Sequence, residues 1–330
     1  MSNAPEASII MLVKNGERYL AESLTQVFAQ VGVTFEVIAI DSGSTDRSRA
    51  ILQQFPVHMH QIAPQAFNHG ATRNLGAELA HADSQFLVYL TQDATPSDER
   101  WLANLLEPFA EDEAVAGVFS RHVPRAGSSP ALVRQLTTVW QSGGRERLVK
   151  AMPDDPHIYL RDRLYYAYFS DTSSALRRRI WEQHPYRPLN FAEDADWADR
   201  VLQAGYKIVF EPASCVVHSH DYSVMEQFRQ NVDHVAGMKT LFPDNVYSGY
   251  KHWLRLFGGI PGQVRGDWRY ILSDEPYSRM PRRQQLYWMA HSPAWHAASA
   301  AGTWIGAHQD RLAPRLRRRL SRQETIRTRG

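Results

Sequence analysis

Cysteine is nearly absent from this 330-residue chain: Cys215 stands alone, which excludes an intrachain disulfide and any zinc site built on paired thiolates. An excess of one charge is missing too. With 37 Lys and Arg against 35 Asp and Glu the formal net charge is +2, too little to make nucleic acid a bulk electrostatic partner. There is no convincing membrane span. Gln284 to Gln309 carries no Asp, Glu, Lys or Arg, yet Pro293, three histidines, serines and glycines keep it too polar. Met1 to Ala7 lacks a basic region followed by an apolar core, so cytoplasmic is the expected location. Internal repeats and low-complexity segments are also missing. The turn after the first apolar run, Lys14-Asn15-Gly16-Glu17, has no glycine fingerprint, which argues against a dinucleotide oxidoreductase.

What the chain does have is alternation. Ile9–Val13, Phe35–Ile40, Val57–Ile62, Phe86–Leu90 and Val115–Phe119 are short apolar runs that read as buried strands. Helical spacing lies between them at Leu20, Leu24, Val27 and Phe28, at Ile51, Leu52 and Phe55, and at Leu75, Leu79 and Ala80. The expectation is an α/β fold, a Rossmann-like, mostly parallel sheet flanked by helices. From about Pro124 to Tyr168 the pattern fades into a polar, aromatic-bearing stretch that reads as a lid or acceptor region. Residues 1–224 are expected to form one domain. Residues 225–330 form a helical, tryptophan-rich extension whose tail, Arg315 to Gly330, carries seven arginines against Glu324. That tail reads either as peripheral attachment to an anionic membrane surface or as a solvated end behind a docking or dimerising helix.

Candidate chemistry sits where apolar runs end. Glu193-Asp194-Ala195-Asp196-Trp197 opens a helix that closes at Gly205; acids there are stabilised by the macrodipole and can face a pocket, though they also suit a capped surface helix. Asp41 to Asp46 follows one strand, with Ser44 or Thr45 as an N-cap, and a carboxylate there can accept from a ribose or a base N–H. Asp93 closes Leu90-Thr91-Gln92-Asp93, where a carboxylate can hold Mg²⁺ or Mn²⁺ against a diphosphate. Phe67 to Asn74 gathers His69, Arg73 and two asparagines at a helix start, a place suited to anions; Gly70 there reads as easing helix entry. Open α/β sheets bind ligands at such strand ends.

In this order and spacing, Ile10 to Gly16, Asp41 to Asp46, Phe67 to Gly76, Leu90 to Pro96 and Phe191 to Trp197 resemble the inverting family 2 glycosyltransferases of GT-A fold, over about Ser8 to His220. The Phe67-to-Asn74 block resembles the bacterial rhamnosyltransferase form. The resemblance implies a dTDP-L-rhamnose donor and a glycan or lipid-linked acceptor in surface polysaccharide assembly, with homo-oligomerisation open. It implies Asp41 at the nucleoside with Val13 and Asn15 nearby, Arg73 along the diphosphate, His69 close to the donor, Gln92 beside it, and Asp93 as the carboxylate of an Asp-x-Asp metal site. Thr91 replaces the first aspartate, which leaves metal dependence open, and His218 or His220 could add a ligand. Asp194 is the implied general base, with Glu193 and Asp196 as alternatives. Asp171 would orient donor or acceptor hydroxyls, and Trp197 would either pack in the core or offer its face to the acceptor sugar. Two rivals are the same fold using a UDP-sugar and a catalytically silent scaffold.

Overall fold

The computed structural model describes residues 4–138, 143–246 and 249–321. Its strands are β1 (Ala7–Val13), β2 (Phe35–Asp41), β3 (His58–Gln61), β4 (Phe86–Leu90), β5 (Thr95–Pro96), β6 (Val115–Val123), β7 (Leu148–Lys150), β8 (Ser173–Arg177) and β9 (Lys207–Val217). The helices are α1 (Leu20–Phe28), α2 (Ser48–Leu52), α3 (His69–Leu79), α4 (Trp101–Glu111), α5 (Pro130–Thr138), α6 (Pro156–Arg161), α7 (Arg163–Tyr166), α8 (Arg178–Trp181), α9 (Glu193–Gln203), α10 (Val224–Leu241), α11 (Tyr250–Gly258), α12 (Ile260–Ser273), α13 (Arg282–Ala307) and α14 (Pro314–Leu320).

The chain divides into two compact units, residues 1–125 with 140–219, and residues 126–139 with 220–330. The first unit holds the sheet, ordered β3-β2-β1-β4-β8-β6-β9-β5, with β7 on β9. β3, β2, β1 and β4 run parallel, β8 is inserted antiparallel, and β6 and β9 are parallel again. β1 and β4 are apolar runs buried almost throughout, as strands covered by helices on both faces must be. Strand order reverses between β1 and β4, so the loops leaving their carboxyl ends part there, the usual ligand crevice of an open α/β sheet.

Helices form where the apolar period is 3.6. α1 buries Leu20, Leu24 and Val27 against the sheet, each contributing roughly 1.5–3 kcal/mol of transfer free energy. α9 ends in a Schellman motif: Gly205, at φ +89°, donates to Leu202 and Tyr206 donates to Val201. Two sequence expectations change. Asp46, not Ser44 or Thr45, accepts from Ser48 N (2.9 Å) at the start of α2, while Ser44 Oγ takes Asn15 N. The stretch read as a lid is divided: 126–139 joins the second unit, and β7 enters the sheet. Lys150 on β7 is buried, donates to Tyr165 O (2.8 Å) and Tyr168 O (3.0 Å), and burial pushes its ammonium down to about 7.

The second unit is helical. Ser223 and Glu226 form a capping box on α10, which packs along α13. Gly302 and Gly306 permit that packing, since a Cβ would stand 2.3 Å from Phe228 O and 2.7 Å from Val232 O. Arg134 of α5, Asp267 of α12, and Ser292 and His296 of α13 join in a buried network at 2.6–2.7 Å. Among the described residues no helix is long and apolar enough to cross a membrane.

Candidate active site

The carboxyl edge of the sheet carries three linked groups of side chains. Around β1 and β2, Asp41 is buried and accepts from Gly43 N (3.3 Å) and Ser44 N (3.2 Å), which shapes the 41–46 turn. Asn15, at φ +49°, accepts Thr45 N on Oδ1 (2.8 Å), and Val13 O accepts Ser42 N (2.9 Å). Gln92 clamps the β1 exit to the β4 exit: its Oε1 accepts Lys14 N (2.9 Å) and its Nε2 donates to Lys14 O (3.0 Å). Gly16 has no side chain because a Cβ would meet that amide at 2.4 Å. Gln92 therefore fixes the loop with its amide already engaged.

The second group follows β4 and β9. Asp93 Oδ1 lies 3.6 Å from His218 Nε2. His220 belongs to the second unit. One carboxylate oxygen and one imidazole donor suit Mn²⁺ or another borderline divalent ion and leave positions for phosphate oxygens. The buried Thr91 Oγ1, where a second carboxylate would stand in an Asp-x-Asp pair, has no hydrogen-bond partner. His122 lies behind His218, rings 5.9 Å apart, and is pushed down to about 3 by burial and by His218, so it adds no charge.

Arg125 supports this end, and nothing in its local sequence marked it. It donates to Asp93 O (2.8 Å), Thr95 Oγ1 (3.0 Å) and Glu22 Oε1 (2.9 Å) and stacks over Tyr19, 3.8 Å from the ring centre.

The third group is a buried knot of acids about one arginine. Arg73 on α3 is ion-paired to Glu193 and stands 3.0 Å from Asp171 by Nε, close enough for attraction without hydrogen-bond geometry. Burial would discharge it, but Glu193 and Asp171 more than offset that, and its pKa is raised. Arg73 is thus turned into the protein, and holds the acids together instead of reaching along a diphosphate as the sequence implied. His69 is part-exposed, 3.8 Å from Glu193. Asp171 is buried and raised, by burial first, against Arg73 and the Ser174 hydroxyl at 2.7 Å. Tyr89 and Tyr186, edge to face at 5.5 Å, wall this cluster. Thr91 N donates to Thr172 O (3.0 Å), joining the cluster to the end of β4.

The three carboxylates of the Glu193–Trp197 motif have different partners. Glu193 is ion-paired to Arg73. Asp196 faces elsewhere, ion-paired to Arg187 (3.2 Å) and Arg200 (2.9 Å), which removes it as an alternative base. Among the described residues Asp194 accepts only Ala195 N (2.8 Å) and a long bond from Asp171 N (3.4 Å), and no arginine or lysine is ion-paired to it. Its residue remains part-exposed though its carboxyl is enclosed by protein. Burial, then Glu193 and Asp171, push Asp194 up to about 8. Trp197 is fully buried, its Nε1 on His184 O (2.9 Å) and its ring against Gly117, so it cannot border an acceptor and is a core residue.

Two backbone details aim the knot. Ala192, just before α9, is left-handed (φ +56°, ψ +30°), a strained conformation for a residue with a Cβ. Gly70 lies on the main chain of the 187–189 loop, where a Cβ would stand 1.9 Å from Arg187 O; close approach, not helix entry, is the reason for a glycine. Asn68 caps α3 through Ala71 N (2.9 Å) and donates to Asn190 Oδ1 (2.9 Å).

Residues 8–184 match the family model described as glycosyl transferase family 2. The O-antigen chain rhamnosyltransferase WbaN of Salmonella anatum is 30% identical over 249 residues, 73% of each chain. RfbN of Salmonella typhimurium, also an O-antigen chain rhamnosyltransferase, is 28% identical over 250 residues, 73% of this chain and 74% of its own. A mannosyltransferase from Pyrobaculum calidifontis, solved with GDP-Man and Mn²⁺, superposes with a TM-score of 0.57 at 16% identity over 94% of this chain and 87% of that one. At that identity the likeness speaks for the fold, which is GT-A.

Proposed function

We propose, for a chain that belongs to glycosyl transferase family 2, that its reaction is single-displacement transfer of L-rhamnose from dTDP-L-rhamnose to a lipid-linked glycan, with inversion at the anomeric carbon. The chain is a glycosyltransferase of polysaccharide biosynthesis; donor, stereochemistry and acceptor are our reading. The observation that carries it is Asp194: an enclosed carboxyl on a part-exposed residue, with no arginine or lysine ion-paired to it among the described residues, made basic by burial and by the acids beside it.

Asp194 takes the proton of the acceptor hydroxyl as its oxygen bonds to the anomeric carbon, and the bond from that carbon to the diphosphate oxygen breaks. dTDP leaves with the electron pair. Burial, then Glu193 and Asp171, keep the basicity of Asp194 high, while Arg73 holds those two acids beside it and offsets part of their effect. Asp41, Val13 and Asn15 form the nucleoside end, with His69 toward the donor sugar. Asp93 and His218 would hold a divalent cation, which when bound neutralises charge on the leaving diphosphate.

The test is a panel of nucleotide-sugars scored for slow hydrolysis and for transfer, with the product anomer read by NMR. dTDP-L-rhamnose should be consumed fastest and the linkage formed with inversion. Faster consumption of a UDP-hexose would replace the donor, and a retained configuration would overturn the role of Asp194. No turnover with any donor would favour the scaffold reading.

A further inference from the structure

We infer that the outer face of α11, continued by α12, docks on an anionic lipid bilayer. α11 has no buried residue. At about 100° per residue, Tyr250, Trp253, Leu254 and Phe257 share one sector, while His252 and Leu256 lie on the far side, half-buried where α11 meets α13. The sector is open: Tyr250 is 73%, Trp253 41% and Leu254 44% exposed. A helix of a soluble domain turns such a stripe inward. Lys251 and Arg255, one turn apart and both exposed, flank it.

α12 repeats the arrangement. Trp268 and Leu272 are exposed one turn apart, beside Arg265 and Arg269. The one acid on either helix, Asp267, is fully buried and ion-paired to Arg134 and His296. The exposed surface of 250–273 therefore pairs apolar and aromatic side chains with four cations and no acid. An apolar protein groove would not need that basic flank; anionic headgroups over acyl chains do, and Trp and Tyr rings suit their boundary. α13 opens on the exposed Arg282 and Arg283 with Leu286 and Tyr287 exposed behind them, but along its charge-free stretch it buries Trp295, Ala300, Gly302 and Gly306. The contact is assigned to α11 and α12. It draws on the proposed function only in that a lipid-linked acceptor lies at a bilayer.

The experiment is cosedimentation of the full chain with vesicles of phosphatidylcholine alone and of phosphatidylcholine mixed with phosphatidylglycerol. Binding should require phosphatidylglycerol and weaken with salt. The double variant Trp253→Ala/Leu254→Ala should lower the partition constant at least about tenfold, and Lys251→Glu/Arg255→Glu by about fivefold per charge removed. Val149→Ser, at an exposed site of the first unit, should change nothing. Equal binding to neutral vesicles, or full binding by both double variants, overturns the proposal. So does light scattering that shows a dimer which Trp253→Ala/Leu254→Ala dissolves while the wild type ignores vesicles; a second copy would then own the face. Turnover on a water-soluble acceptor should be unaffected by these variants, which separates this failure from failure of the proposed reaction.

Discussion

The Asp194 end and the Asp93 end of the sheet's carboxyl edge are both built from acids, and they differ in what surrounds them. At the first, three carboxylates share one arginine in a buried space, so the carboxylate without its own cation is pushed toward its neutral form. At the second, one carboxylate stands beside an imidazole in a part-exposed position. On the proposed reading, the same side chain serves as a base in the first setting and as a cation ligand in the second. Surplus buried negative charge raises proton affinity, while neutral donors around a single acid leave it suited to a metal.

The sharpest way to break this contrast is Asp194→Asn. Turnover should fall by at least about a thousandfold, while dTDP binding by calorimetry stays unchanged. The same variant removes a linkage cost. The folded pKa near 8 lies above the ordinary aspartate value, so the native state holds a proton that the unfolded chain releases, and wild-type stability falls as pH rises through that window. Asp194→Asn should therefore raise the melting temperature more at pH 8 than at pH 4.

At the other end the loss should show in metal affinity. His218→Ala should raise the Mn²⁺ concentration for half-maximal rate by about 10–100-fold. Arg125→Met, by freeing the Asp93 carbonyl, should shift it the same way by less. A rate indifferent to chelator and to both changes would take metal out of this end.

Gly70→Ala tests the support of the Asp194 end. The Arg187 carbonyl must move, at a cost of about 1–3 kcal/mol in denaturant unfolding, and turnover should fall because α3 carries Arg73. The smallest effect is expected of Ala192→Gly, which relieves a left-handed residue but loosens the unfolded chain. Stability should change by less than about 1 kcal/mol, and a lower rate would indicate that the strained turn aims Asp194.

Much of the fold was legible because burial writes itself into apolar runs: β1, β2, β4 and β6 lie on the predicted stretches, and Gly205 ends α9. β8 was not, because Ser173-Ser174-Ala175 reads as polar; the serines are buried through bonds of Ser173 with Ser120 (2.7 Å) and of Ser174 to Asp171 (2.7 Å), the first of which only the assembled sheet supplies. α5 was hidden in a stretch marked by glycine, serine and proline, and it belongs to the second unit. At the candidate site the sequence named residue types and strand ends but not directions. Whether Asp194 or Asp196 is free depends on Arg187 and Arg200, and whether Arg73 reaches outward depends on Asp171. Both are tertiary facts without a local signature, as is the hold of Arg125 on Asp93.

The most direct test is the titration of Asp194 itself, followed by carboxyl-carbon NMR on the aspartate-labelled protein and assigned by loss of the signal in Asp194→Asn. Burial of the carboxyl beside Glu193 and Asp171 predicts a midpoint near 8, matched by a rate that climbs with pH up to that value. A midpoint at the ordinary value near 4, with a rate flat across neutral pH, would contradict it.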